Sequence, residues 1–254
     1  MRRNKRHQEI LDYLSTVTEC SISDICDKFS ISPNTARSDI NELVSAKLVE
    51  KYYGGFKLAR KNEVGYYQRH GSNLEEKRKI AEYASSFVVD NECIFVDSGT
   101  TCALLADYIP ASYHLTIITC NFDFINKAKD ITNWSILVLG TRFRHSSYSF
   151  TDETNWDYFD SLNINKAFLG TTGFTIKSGA TNPNTGEATV KAKMTTSVDT
   201  AILLTDYAKF GQTSLYTFGM PQQFKKIITC GKVDPSFKDS LSNLGVEFIN
   251  LQID

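Results

Sequence analysis

The sequence predicts an α/β protein of two units, an N-terminal winged helix-turn-helix followed by a larger domain built on a mostly parallel sheet. Three observations carry that expectation. A proline-containing turn, Ser30-Ile31-Ser32-Pro33, separates two short amphipathic stretches and is followed by a glycine-centred hairpin. After residue 75, short β-branched apolar runs alternate with helical stretches, the signature of strands joined by crossovers. Between the two lies an aperiodic segment with two glycines, residues 60–74, which reads as a linker. The expected division is 1–59, 60–74 and 75–254; a chain of 254 residues suits one large domain or two modest ones.

Element by element, Ile10, Leu11, Leu14 and Val17 recur at helical spacing and predict a first helix. Ser23 is the candidate cap of a second, which turns Ile25, Cys26 and Phe29 inward. Ser32 caps the third, and Pro33 suits its first position, where a missing N–H costs nothing. That helix buries Ala36, Ile40, Leu43 and Val44. A strand over 48–52, a turn at Gly54-Gly55 and a return over 56–58 complete the wing. A further helix starts near Glu75 and carries Ile80, Tyr83, Ala84, Phe87 and Val88 on one face. Strands are expected at 93–96, 115–119, 135–139, 166–169, 201–204, 226–229 and 246–251. Several are apolar at nearly every position, as strands buried on both faces are.

Charge is distributed unevenly. Residues 1–60 hold ten Lys and Arg against eight Asp and Glu; the remainder holds 18 against 21. The net charge of −1 gives no global field for nucleic acid, but the basic excess lies on the predicted helix-turn-helix. On a helical wheel, Asn34, Ser38, Asn41 and Ser45 oppose the apolar sector of the third helix, with Thr35 and Arg37 on the flanks. Such a short polar face fits the major groove. Asn pairs bidentately with adenine, and Arg with guanine or phosphate. Arg2, Arg3, Lys5 and Arg6, with Lys51 and Lys57 of the wing, are candidate phosphate contacts. The plain alternative is a solvated helix face in a small helical subdomain.

In the second unit, Asp97-Ser98-Gly99-Thr100-Thr101 follows a predicted strand and opens a helix. Gly99 lets the backbone approach an anion, and the hydroxyls and first-turn N–H groups can cradle phosphate. Asp97 would repel phosphate at close range; its expected task is to bind ligand hydroxyls or brace the loop. The six cysteines form no C-x-x-C pair and no zinc spacing, and read as reduced, largely buried thiols of a reducing compartment. No metal, cofactor or catalytic residue is assigned. Gln8, Glu9 and Asp12 interrupt any signal-peptide core, and no run reaches the ~20 apolar residues of a membrane span. The expected location is cytoplasmic, with no membrane partner.

Residues 7–55, through ISPNTARSDINEL to YYGG, resemble the DNA-binding domain of the DeoR family of bacterial regulators of sugar metabolism. That family reads S-x-x-T-[IV]-R-R-D-L here and ends its wing in H-G-G. Ser32, Thr35, Arg37, Asp39, Gly54 and Gly55 match; Ala36, Ser38 and Tyr53 depart, and Ser38 removes one cation from the recognition helix. The resemblance continues to the end of the chain, and the Asp97–Thr101 loop resembles the phosphate loop of ribose-5-phosphate isomerases and coenzyme A transferases. It implies a pocket that also includes Thr119 and Asn121, Arg144, Gly170, Thr171 and Gly173, Glu187 and Lys191, and Lys209. The ligand it implies is a phosphorylated sugar, with residues 98–101 on the phosphate and Arg144, Glu187, Lys191 and Lys209 reading charge and hydroxyls. It further implies double-stranded operator DNA as partner on the bacterial nucleoid, a homodimer or homotetramer, and repression relieved by the effector. Two other readings remain open: an isomerase-like enzyme acting on sugar phosphates, and a regulator whose sensor no longer binds a ligand.

Overall fold

In the computed structural model the chain divides into two compact units, Met1–Val64 and Gly65–Asp254. The structure describes residues 6–253 except 8, 11–12, 15–16, 18–19, 46–48, 53–54, 59–65 and 152–155; of residues 52, 57, 58, 67 and 68 it describes the backbone only.

In the first unit, the described residues among 6–14 are helical, and Ile10 and Leu14 are buried. Helix α1 spans Ile22–Phe29 and α2 spans Pro33–Ser45. The cap of α1 is Ser21, not Ser23. Ser21 and Asp24 form a reciprocal box: the Asp24 N–H donates to the Ser21 hydroxyl at 3.2 Å, and the Ser21 N–H to the Asp24 carboxylate at 2.7 Å. Ser32 accepts the Thr35 N–H at 3.3 Å and its hydroxyl meets the Thr35 hydroxyl at 2.9 Å, so α2 starts at Pro33 as its sequence dictates. Strands β1 (Val49–Tyr52) and β2 (Gly55–Leu58) pair antiparallel as the wing, with Tyr52 opposite Gly55. Ile10, Leu14, Cys20, Ile25, Ala36, Ile40, Leu43 and Val49 close one small core.

The second unit opens with helix α3 (Tyr66–Gly71), which lies inside the segment read as a linker. Its aromatic start is what the linker reading overlooked: the Tyr66 hydroxyl donates to Asp123 at 2.8 Å and its ring packs 5.1 Å from that of Tyr148. Helix α4 (Leu74–Ser85) follows, burying Lys77, Ile80, Ala81 and Ala84. Tyr83, expected on the same face, is exposed and packs edge-on against Phe87.

Seven strands then form one wholly parallel sheet: β3 (Cys93–Val96), β4 (Leu115–Thr119), β5 (Trp134–Val138), β8 (Ile164–Gly170), β11 (Val198–Leu204), β13 (Lys226–Cys230) and β14 (Glu247–Leu251). Their order is β14-β13-β11-β8-β3-β4-β5. Alternate residues feed two cores. Ile94, Val96, Phe168, Ile202 and Leu204 face α4 and its neighbours, while Phe95, Ala167, Leu169, Ala201 and Leu203 face the other layer. Burial on both faces is why these runs are apolar at consecutive positions. From β3 the chain builds outward through β4 and β5, then returns to β3's other side with β8 and builds the opposite way. The reversal falls between β3 and β8, which makes the carboxyl ends of these two strands the crevice where open α/β sheets bind ligands.

Two antiparallel additions complete the unit. Strands β6 (Arg142–Arg144) and β7 (Ser149–Thr151) form a hairpin. Strands β9 (Gly173–Thr175), β10 (Gly179–Asn182) and β12 (Tyr216–Gly219) form a small sheet in the order β12-β10-β9. The remaining helices are α5 (Thr100–Ala103), running into a 3-10 turn over Leu104–Asp107, α6 (Phe122–Ala128), α7 (Trp156–Asp160), α8 (Thr185–Thr196) and α9 (Ser236–Asn243).

Candidate functional site

On the first unit, α2 presents Asn34, Arg37, Ser38 and Asn41 to solvent and buries Ala36, Asp39, Ile40 and Leu43. Thr35 is half-buried and engaged with Ser32. Among the described residues, no hydrogen bond or ion pair engages the Arg37 guanidinium. Asn41 is partly committed, since the Lys51 ammonium of the wing donates to its side-chain oxygen at 2.8 Å. That contact fixes β1 against the recognition face and leaves the Asn41 amide N–H₂ outward.

Arg6 departs from its expected role. Its guanidinium grips Asp39 through two bonds, Nε to Oδ2 at 2.6 Å and Nη2 to Oδ1 at 2.9 Å. Asp39 is only 1% exposed. Burial alone would raise its carboxyl; hydrogen bonds and charge from Arg6 and His7 outweigh that and hold it below the usual carboxylate range. Arg6 therefore braces α2 from below and is not a spare phosphate contact. Arg2, Arg3 and Lys5 lie outside the described residues, as does the Lys57 side chain.

In the second unit, a cleft opens at the carboxyl ends of β3, β8 and β11. Ser98, Gly99, Thr100, Thr101, Gly170, Thr171, Glu187, Lys191 and Lys209 line it, which brings together most of the residues expected to bind the effector. Gly99 caps α5 with no side-chain hydrogen bond, so the first N–H groups of that helix are left for solvent or a ligand. The Cα atoms of Gly99 and Gly170 face each other across the reversal point, and a Cβ on Gly170 would crowd the Asp97 carboxylate at 3.3 Å.

Asp97 braces this crossing. Its buried carboxylate accepts the Gly170 N–H at 2.9 Å and the Lys191 ammonium. Lys191 also donates to the Gly170 carbonyl at 2.9 Å. Burial alone would lower the Lys191 pKa; the charges of Asp97 and Glu187 and the bond to Asp97 outweigh it and hold the ammonium charged. Lys191 and Glu187, four apart on α8, thus do not form the helix salt bridge their spacing allows. Glu187 instead accepts from Asn182 at 3.1 Å through Oε2, and its Oε1 is buried without a hydrogen-bond partner.

Four expected ligand residues do other work. The Thr119 hydroxyl donates to the Val96 carbonyl at 2.6 Å and accepts the Asn121 N–H at 3.0 Å. Asn121 donates to the carbonyls of Asp97 and Gly99 at 2.8 and 3.1 Å and caps α6. Both are fully buried and hold the loop from behind. Gly173 lies outside the cleft; a Cβ there would come within 2.6 Å of the Gln212 carbonyl oxygen, so it is glycine because two chains pass closely. Arg144 sits on the β6–β7 hairpin, donates to the Ser146 hydroxyl at 2.9 Å, and does not line the cleft.

The cations that accompany Lys191 and Lys209 are Arg69 and Lys77. Lys77 donates to the Ser72 carbonyl at 2.6 Å and to the Arg69 carbonyl, and so ties the end of α3 to the cleft. Burial pushes its pKa down to about 8. A signal for it was present in the sequence. Lys77 falls on the stripe of Ile80, Ala81 and Ala84, and a lysine on an apolar stripe is seldom buried without a task. Arg69 fell in the segment read as linker. Asp206 accepts from Asn73 at 3.0 Å and caps the short helical turn that carries Lys209.

Among the described residues, no group of three His, Cys, Asp or Glu side chains is placed to hold a metal ion, and no helix is long and apolar enough to cross a membrane.

Two family models match the chain. "DeoR-like helix-turn-helix domain" matches residues 6–62, and "DeoR C terminal sensor domain" matches residues 72–230. Among curated proteins, the chain is 33% identical to the HTH-type transcriptional regulator IolR of Bacillus subtilis over 91% of its length and 93% of the relative's. It is 24% identical to the glycerol-3-phosphate regulon repressor of Escherichia coli, covering 86% and 87%. Among solved structures it is similar to ribose 5-phosphate isomerase A from Methanocaldococcus jannaschii, at 18% identity and a TM-score of 0.41 over 55% of each chain.

Proposed function

The chain belongs to the DeoR family of helix-turn-helix transcriptional regulators, which are not enzymes, and we propose that it represses a carbohydrate operon until a phosphorylated sugar fills the cleft of its sensor domain. The observation that carries this reading is the charge arrangement at the end of β3. Arg69, Lys77, Lys191 and Lys209 line the same cleft as the uncapped Ser98–Thr101 turn, against only two lining carboxylates, Glu187 and Asp206. Both carboxylates have structural partners, Asn182 and Asn73.

A dianionic phosphate satisfies such a site: backbone N–H groups and hydroxyls on one side, ammonium groups on the other. Lys209 is the cation with freedom to move, since no partner among the described residues engages its ammonium. Lys191 is fixed by Asp97 and acts as a rigid part of the wall. The DNA contacts rest on Asn34, Arg37, Ser38 and the Asn41 amide for bases, and Lys51 with Arg2, Arg3 and Lys5 for phosphates. The protein acts as a dimer or higher oligomer because one recognition helix reads too few base pairs for a specific site.

The test is calorimetric titration of the full chain with a panel of sugar phosphates, alongside Lys209→Ala. Binding by at least one ester, weakened tenfold or more by the substitution, is expected. Absence of binding across the panel would leave the family's sensor without a ligand here and overturn the reading.

A further inference from the structure

A second cavity adjoins the first and has different chemistry. Its volume is about 270 Å³, against about 40 Å³ for the cationic cleft. Ser98 and Glu187 line both, and Asp97, paired with Lys191 of the first cleft, lines the second. The two thus adjoin along these shared residues. Leu139, Phe150, Trp156 and Val190 give the second an apolar lining, and Thr151 and Thr189 add hydroxyls.

We propose that this second chamber receives the carbon skeleton of the phosphate ester, and that it selects closed-ring sugar phosphates over open-chain ones. The proposal rests on the cationic cleft being the phosphate site. Three features support it. The cationic cleft is the smaller space, and the chamber that adjoins it at Ser98 and Glu187 has the room for the rest of the ester. Its lining matches a ring. A sugar in its chair form offers a patch of C–H groups on one face and hydroxyls at its edge; Trp156 and Phe150 supply aromatic surface for the first. An open-chain polyol has no such apolar face and gains little from the same surface.

The third feature is Glu187. Its Oε1 is buried without a partner while Oε2 holds Asn182. A buried carboxylate oxygen left unpaired is costly, and a ring hydroxyl entering beside Trp156 would donate to it. Charge sets the orientation of the ester: among the described residues no Lys or Arg lines the second chamber while Asp97 and Glu187 do, so the phosphate lies in the cationic cleft and the ring in the apolar chamber.

The test titrates the full chain with inorganic phosphate, glycerol 3-phosphate, and the 6-phosphates of glucose, mannose and galactose, reading heat and tryptophan emission. Trp134 is buried in the core, so ligand-dependent emission reports Trp156. At least one hexose phosphate should bind tenfold or more tightly than glycerol 3-phosphate and change that emission. Trp156→Ala should weaken the hexose phosphate about fivefold or more while leaving inorganic phosphate unchanged, and Trp156→Phe, which keeps an aromatic face and guards against misfolding, should lie between. Equal affinities for open-chain and ring esters, or hexose binding unaffected by both substitutions, would overturn the ring chamber while sparing the phosphate cleft. Failure of inorganic phosphate and every ester to bind would instead sink the phosphate reading itself.

Discussion

Lys77 is the residue at which sequence and site meet most directly. Its ammonium is buried, held by two carbonyls at the end of α3, and shifted to about 8 by burial. A phosphate monoester is mostly dianionic above pH 7, so Lys77 sets a step of the pH profile near 8. Below pH 8 the ammonium is already charged and affinity for the ester should be flat. Above pH 8 binding must first take up a proton, and affinity should fall by as much as tenfold per pH unit. Lys77→Met should bind more weakly at pH 7 and lose the fall; calorimetry from pH 7 to 9.5 reads both. Asp39 carries the matching prediction for the DNA-binding unit. Asp39→Asn strands Arg6 and should destabilise that unit by about 2 kcal/mol, measured by denaturant unfolding. Because the native carboxyl titrates below its unfolded value, the wild-type contribution is whole above about pH 4 and is lost as the pH falls below it. Lys77 was passed over, and Arg6 was read as a phosphate contact, for one reason. A wheel or a motif shows which way a side chain points, but not what distant backbone or side chain arrives to meet it. Thr119 and Asn121 sit at strand ends where ligands bind, yet their hydrogen bonds are spent on the Asp97 loop.

Helix α2 illustrates how far a single element can be read. Its start at Pro33, its buried Ala36, Ile40 and Leu43, and its outward Asn34, Arg37 and Ser38 all follow from spacing and capping. Arg37→Ala should reduce operator binding at least tenfold in a mobility-shift assay while leaving sugar-phosphate binding unchanged, because the side chain has no structural partner to lose among the described residues. The seven parallel strands were legible too, since continuous β-branched runs are what double-sided burial demands. The hairpin β6–β7 and the sheet β12-β10-β9 were not. Their strands are three or four residues long, and what fixes them is close passage of backbone. Gly179 has a positive φ of 66°, and a Cβ there would lie 2.2 Å from the Gly219 carbonyl oxygen. Gly179→Ala should therefore cost about 3 kcal/mol, read as a lowered denaturation midpoint. Two elements of the site, α3 with Arg69 and the hairpin with Phe150, came from stretches that had no periodic signal.

For the whole molecule, the two units make one regulator only if the ligand states of one bias the other. The central claim is that a sugar phosphate in the sensor domain disfavours the DNA-bound arrangement. Thermodynamic linkage makes that claim reciprocal: whatever factor the ester takes from operator affinity, the operator must take from ester affinity. Couplings of this kind are typically 5–150-fold, well within the reach of direct titration. The most direct measurement is the Kd of the tightest-binding sugar phosphate, determined once with the free protein and once with the protein saturated by an operator duplex selected from a random pool. The account predicts weaker ester binding in the presence of operator, by the same factor as the ester weakens DNA binding. An ester Kd that is identical with and without operator would contradict it.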